Sequence, residues 1–368
     1  TMTRPIEGVG TAVAAFVGLA DAGPIDSPET FDGWGSYEDE YGGRTGSGAM
    51  GHQVWDFFEN GGASAVVVRV ADAGLEAVRA GLAALDQVDL VNLLLLPAES
   101  AELPDAHAIV AEAVMFCERR RAMLLVDPPS SWTSATAIEA ALAGGVAAAV
   151  GTASPNAALY VPRLRRSDPV TGGATRVDPA SGAVAGVIAR TDATEGVWTA
   201  PAGLDAELRG AGGLDVTLSD AATRRINARG VSTLRTFPGR GPVVWGARTL
   251  AGADTASSEW KYVPVRRTAL FLEESIERGL RWTATEPNDE PLWQEVRESV
   301  GTFLHDLFRA GAFQGSTPRD AYFVRCDRDT VTQHDLDAGE FTVAIGFAPM
   351  RPAEFVVLQI RGRALPTT

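Results

Sequence analysis

The chain closes on Glu354-Phe355-Val356-Val357-Leu358-Gln359-Ile360, an apolar run fenced by Pro349 and Pro352 before it and by Arg361, Gly362, Arg363 and Pro366 after it. Its β-branched and aromatic content predicts a strand, and the prolines set its start. Side chains alternate along a strand, so Phe355 and Val357 fall on one face and Val356 and Leu358 on the other. Both faces are apolar, and both need cover. Burying four such side chains is worth roughly 1.5–3 kcal/mol each, so leaving them in water forfeits on the order of 6–12 kcal/mol. A sheet must receive this strand, either in the same molecule or in a neighbour.

The preceding residues supply a candidate receiver. Residues 321–325 (AYFVR) and 340–347 (EFTVAIGF) read as strands joined by the polar connection 326–339. A two-stranded hairpin alone is marginal and has two open edges. Upstream, Leu292, Trp293, Val296, Val300, Phe303, Leu304, Leu307 and Phe308 recur at helical spacing. Pro291 suits the first turn, Asp289 and Glu290 sit at the positive end of the dipole, Arg309 at the negative end, and Gly311 supplies the stop. An earlier helix carries Ala269, Leu272, Ile276 and Leu280 on one face, with Glu274 and Arg278 as an i,i+4 pair.

These residues resemble a known family. The runs Glu259-Trp260-Lys261-Tyr262-Val263-Pro264-Val265-Arg266-Arg267, Phe271-Leu272-Glu273-Glu274-Ser275-Ile276 and Glu286-Pro287-Asn288-Asp289-Glu290-Pro291-Leu292-Trp293 are similar to the C-terminal domain of contractile tail sheath proteins of phages and of bacterial phage-tail-like injection systems. So are Gly311-Ala312-Phe313-Gln314-Gly315, Tyr322-Phe323-Val324-Arg325-Cys326-Asp327 and Pro352-Ala353-Glu354-Phe355-Val356-Val357. Further matches are Thr3-Arg4-Pro5-Ile6-Glu7-Gly8-Val9, Tyr160-Val161-Pro162-Arg163-Leu164, Asp192-Ala193-Thr194-Glu195-Gly196-Val197-Trp198, Ala200-Pro201-Ala202-Gly203 and Val244-Trp245-Gly246-Ala247-Arg248-Thr249-Leu250, so the resemblance covers nearly the whole chain.

The resemblance implies a subunit that polymerises helically around an inner tube and contracts to drive it into a target. In such proteins terminal arms add strands to neighbouring subunits, which makes Phe355, Val356, Val357, Leu358, Gln359 and Ile360 the expected inter-subunit strand. Thr3, Arg4, Pro5 and Ile6 become an N-terminal linker. The longer apolar arm that usually precedes this signature has only two residues in its place here, so exchange is expected to rely on the C-terminal arm unless an arm was trimmed. The helix at 292–310 is expected near the tube, with Arg297, Glu298 and Arg309 as candidate polar contacts or as a solvated face. The implied partners are other copies of the chain, an inner tube protein, and baseplate and terminal cap proteins. Assembly is expected in a bacterial cytoplasm, as part of a phage tail or tail-like particle.

Between residues 12 and 150 strand and helix patterns alternate. Strands are expected at 12–17, 65–70, 90–96, 123–126 and 147–150, and helices around Trp55, Phe57 and Phe58 and at 76–85, 106–121 and 135–142. That alternation predicts an α/β domain with a largely parallel sheet. Residues 157–250 are richer in Gly and Pro and read as a loop-rich edge of the same domain, with 168–182 a loop. The expected division is an outer α/β domain at 12–250 and a smaller α+β assembly domain from 1–11 and 251–368, completed by strand exchange.

The remaining classes find little support. A net charge of −15 repels phosphate backbones and disfavours nucleic acid. No apolar run is long enough to span a bilayer. Two cysteines, Cys117 and Cys326, cannot build a disulfide framework and point to a reducing compartment. Gly46-Ser47-Gly48-Ala49-Met50-Gly51 matches GxGxxG, but residues 41–45 before it are not an apolar strand, so the dinucleotide reading fails. His52, His107, His305 and His334 are scattered, Asp127-Pro128-Pro129 reads as a turn, and Glu273 and Glu274 are adjacent on a helix and cannot face each other. No catalytic set, cofactor or metal is expected, and the function expected is mechanical.

Overall fold

A computed structural model describes residues 4–44, 48–168, 172–350 and 356–366, so Thr3, Gly46, Ser47 and Phe355 of the sequence motifs lie outside the described residues. The chain forms two compact units. The larger is Gly10–Glu195 with Ala200–Arg266, and the smaller is Thr1–Val9, Gly196–Thr199 and Arg267–Thr368.

The larger unit opens with β1 (Ala14–Gly18), the short β2 (Glu29–Phe31), α1 (Trp34–Tyr41), α2 (Met50–Glu59) and β3 (Ala65–Arg69). It continues with α3 (Leu75–Leu85), β4 (Leu93–Leu95), α4 (Ala106–Arg120), β5 (Met123–Val126) and α5 (Ala135–Ala141). The strand expected at 147–150 is instead helix α6 (Val146–Val150). Short apolar runs carry no periodicity that separates strand from helix, and the alanines at its centre favour helix. The next parallel strand is β6 (Ala157–Val161).

The stretch read as a loop-rich edge is also more ordered than expected. It holds β7 (Leu164–Ser167), β8 (Thr175–Asp178), α7 (Ser181–Glu195), β9 (Gly213–Leu214), α8 (Asp220–Asn227), β10 (Ser232–Thr236) and β11 (Pro242–Val244). Helix α7 escaped the sequence reading because residues 181–189 are buried all round, so no polar face marks the helical period.

Eight strands form one sheet in the order β11-β10-β6-β5-β4-β1-β3-β2. Strands β10, β6, β5, β4, β1 and β3 run parallel, and antiparallel β2 and β11 close the two edges. The strand order reverses between β1 and β4, as in doubly wound folds. Alternate residues feed two cores. Ala15, Val17, Val68, Leu94 and Leu124 pack with Val78, Leu82, Ile109 and Phe116 of α3 and α4. Ala14, Phe16, Val67, Leu95 and Leu125 pack with Val54 and Phe57 of α2 and with Val184 and Ile188 of α7.

Helices α2 and α7 approach closely because glycines line the contact. A Cβ on Gly182 would lie 2.3 Å from the Gln53 carbonyl oxygen, and one on Gly186 would lie 2.5 Å from that of Phe57.

In the smaller unit, α9 (Val263–Gly279), which straddles the division, is followed by α10 (Glu290–Arg309), α11 (Pro318–Ala321), β12 (Tyr322–Arg325), α12 (Gln333–Ala338), β13 (Glu340–Phe347) and β14 (Val356–Arg363). Helix α10 starts as its sequence requires: the Asp289 carboxylate accepts the Leu292 amide at 3.1 Å, and Pro291 occupies the first turn. Its apolar stripe, Leu292, Trp293, Val296, Val300, Phe303 and Leu304, is buried. Ala269, Leu272, Ile276 and Leu280 are buried too.

Forcing α2 and α7 apart should be costly. Gly182→Val is expected to destabilise the chain by about 1–3 kcal/mol in denaturant unfolding, because the Gln53 backbone has no room to yield.

Candidate assembly interface

The closing strand finds its receiver in its own chain. A three-stranded sheet runs β12-β13-β14, and β14 pairs antiparallel with β13 from Phe347↔Val356 to Glu340↔Arg363. Of the two receivers left open by the sequence, the single chain supplies the one at home. The expectation of two apolar faces is corrected. Val356, Leu358 and Ile360 are buried, whereas Val357 is 51% exposed and Gln359 and Arg361 face outward. The sheet is covered on one side only, by the same pleat that buries Phe341, Val343, Ile345 and Phe347.

Two glycines tune this sheet. Phe323 lies across from Gly346 and its ring occupies the place a Cβ would take, 2.0 Å away. The Phe341 ring does the same at Gly362, at 2.2 Å. Each ring covers the strand next to it, so β12, β13 and β14 are stapled by aromatic side chains as well as by backbone bonds.

The expected N-terminal linker lies along α9. The Arg4 guanidinium sits 4.2 Å from the Trp282 ring and meets Glu286 at 3.4 Å. Ile6 is buried where Gly279 leaves room, and Gly8 faces Phe271. The Val9 amide donates to Ser275 Oγ at 3.1 Å. Pro5 is exposed. The docking positions 271, 275 and 279 fall one turn apart, and the small residues at 275 and 279 were the available signal for a groove that sequence reading passed over.

Of the candidate tube contacts on α10, Arg297 is half-buried and bonded within its own unit. It donates to the Cys326 carbonyl and to Glu290 Oε1, the latter at 2.8 Å. Glu298 is exposed and accepts from Gln294 at 3.0 Å, and Arg309 is exposed at the helix end. Arg297 thus braces β12 against the start of α10, and the outward polar stripe is left to Glu298 and Arg309.

At the carboxyl edge of the large sheet, where doubly wound proteins take ligands, the chain's own side chains converge and leave a cavity of only about 30 Å³ beside Asp127. Met50 crowds Gly18 at the end of β1. Glu99 Oε1 accepts the Ala49 amide at 2.7 Å, so a carboxylate of the chain already occupies the start of α2. Asp127 is half-buried, and its Oδ2 accepts from Gln53 Nε2 at 3.1 Å and from Ser181 Oγ at 3.0 Å. It therefore ties β5 to both α2 and α7, a structural role that the turn expected from Asp127-Pro128-Pro129 did not foresee. Burial pushes its carboxyl up to about 7. Nearby, Arg166 grips Asp56 with two bonds of 2.6 and 2.7 Å and approaches Asp178 at 3.3 Å. His52 is 1% exposed and held neutral, its value lowered to about 4 by burial. Among the described residues no group of three or more His, Cys, Asp or Glu side chains could hold a metal, and no helix is long and apolar enough to cross a membrane.

Two outcomes follow. Because the folded chain keeps a proton on Asp127 that the unfolded chain releases from an ordinary value of 3.8, stability should fall as pH rises from about 4 to about 7 and level off above. Asp127→Asn should remove that component of the slope in unfolding measured against pH. On the small sheet, Leu358→Asp should cost several kcal/mol by burying an unpaired charge, while Val357→Asp should stay within about 0.5 kcal/mol in the unassembled chain.

The comparisons with known proteins agree with this architecture. Residues 71–250 match the model for the phage tail sheath protein central domain, and residues 255–363 match that for the phage tail sheath C-terminal domain. A chain in the contracted sheath complex of an extracellular contractile injection system, PVC, is 29% identical with a TM-score of 0.76, over 97% of this chain and 93% of that one. A chain in the contracted helical sheath of the anti-feeding prophage is 26% identical with a TM-score of 0.77, over 97% and 94%. The sheath tail protein Lin1278 from Listeria innocua shares the fold at 10% identity, with a TM-score of 0.69 over 96% of both chains. No curated protein matches in the sequence search. With both family models in chain order and together spanning most of the sequence, the chain belongs to the phage tail sheath family.

Proposed function

We propose that this chain is the repeating subunit of a contractile sheath, polymerising helically around an inner tube and shortening to drive that tube through a target envelope. The observation that carries the reading is the match of both sheath domains, supported by relatives solved as contracted sheaths at 29% and 26% identity. A relative from the anti-feeding prophage baseplate, 26% identical, supports contact with a baseplate at one end of the polymer. Inner tube and terminal cap proteins complete the partner set, and assembly takes place in the bacterial cytoplasm. Glu298 and Arg309 are the proposed tube-facing groups, with Arg297 supporting them from within the subunit.

The link between copies is the strand at 355–360. Strand β14 pairs with β13 of its own chain through a complete register. The same ladder can be made with the strand of a neighbour, because exchanging an identical element preserves every contact and a head-to-tail exchange that does not close produces a filament. Residues 348–355 join the two strands, and the Thr3–Ile6 segment acts as a second, shorter link. Firing then needs no nucleotide: subunits repack from a metastable extended lattice into a shorter, wider one while the exchanged strands keep neighbours joined.

Ala344 and Gln359 stand opposite each other on the open face of the sheet. In an Ala344→Cys/Gln359→Cys variant, oxidation of assembled material is expected to give a ladder of covalent oligomers on non-reducing gels, since Cys117 and Cys326 are buried. A single monomer band from well-formed polymers would rule out exchange. A chain ending at Pro352 is expected to lose assembly.

A further inference from the structure

In the smaller unit, a cleft of about 290 Å³ opens where the end of α9 and the turn Arg281–Thr285 face the last residues of β14. Arg281, Arg361 and Arg363 line it, with Glu277 as the one carboxylate. Arg281 and Arg363 form no ion pair among the described residues, and Arg361 reaches Glu340 only at 3.9 Å with its side chain 79% exposed. Elsewhere in this unit Arg4 pairs with Glu286, Arg278 with Glu274 and Arg297 with Glu290, and the exposed Arg309, Arg319, Arg325 and Arg328 lie outside the cleft. Three arginines without a close ion pair thus share one cleft, beside the closing strand.

The charge of the whole chain says what that place is for. With 47 acidic residues against 32 basic ones, two copies repel over most of their surfaces. A polymer of such copies needs sites where opposite charges meet, and planar guanidinium groups suit carboxylates in particular.

We propose that this arginine-lined cleft receives exposed carboxylates of a second copy, an inference that rests on the sheath reading. The contact is separate from the strand ladder. It neutralises the rim of β14 and steers an incoming copy toward the strand it joins.

The chain's lysine content makes the test clean, because Lys261 is its single lysine. Arg363→Lys keeps the positive charge and adds one amine that a carbodiimide can couple to a touching carboxylate. Copies labelled with 15N are mixed with unlabelled ones before full-length assembly, and cross-linked peptides are read by mass spectrometry. The expected result is a new mixed-label link from position 363 to an acidic residue of another copy, present in polymers and absent from unassembled chain. The companion variant Arg281→Glu/Arg363→Glu should lower polymer yield about tenfold at ~0.1 M salt, where charges within about 10 Å still interact, with the melting temperature of the unassembled chain unchanged. Polymers that show no such link, or links only to Glu277 or Glu340 of the same copy, overturn the proposal, as does an unchanged yield from the double variant. In either case wild-type polymers leave the sheath reading standing. A wild-type chain that never polymerises with its tube removes both.

Discussion

The two-residue period of β13 and β14 governs the smaller unit. A strand can hide alternate side chains behind one layer, and this one does so: Val356, Leu358 and Ile360 share an interior with Phe341, Val343, Ile345 and Phe347, while Val357, Gln359 and Arg361 are left outside. A shift of one residue would reverse every position. Any copy that offers β14 to this hairpin, its own or a neighbour's, must therefore offer it in one register. Specificity of pairing is built into the pleat, and the Phe341 ring over Gly362 marks that register again.

The larger unit obeys a different constraint. Its sheet is buried on both faces, and the edge at which such folds usually open for a ligand is occupied by Met50, Glu99 and Asp127. The Asp127 carboxyl joins a strand end to two helices, and the pair Arg166–Asp56 locks α2 to β7. These polar groups hold neighbouring elements together. A unit stiffened in this way suits a subunit that has to move as a whole.

Much of this was legible in the residues. The amphipathic stripe of α10, its Asp289 cap and the alternation of buried strands along the first 126 residues declared themselves, because each obeys a period that burial enforces. Legibility failed where periodicity is silent. Residues 181–189 of α7 are buried all round, α6 is a five-residue alanine-rich run, and both lack the contrast between faces on which pattern reading depends. The closing strand was recognised, but its outer face was misjudged, since Val357 looks the same in sequence whether or not anything covers it. The N-terminal groove on α9 and the arginine-lined cleft both need the folded chain, because each gathers residues far apart in sequence.

The home pairing of β14 has a bearing on how copies wait before they join. A chain that released its strand without receiving another would bare Phe341, Val343 and Ile345 to water, and such a surface is adhesive. Keeping the strand tucked in gives newly made copies an inert resting form. If copies exchange this strand as proposed, growth of a polymer becomes a relay, in which one copy's opening is answered by the next copy's closing and no sticky intermediate accumulates.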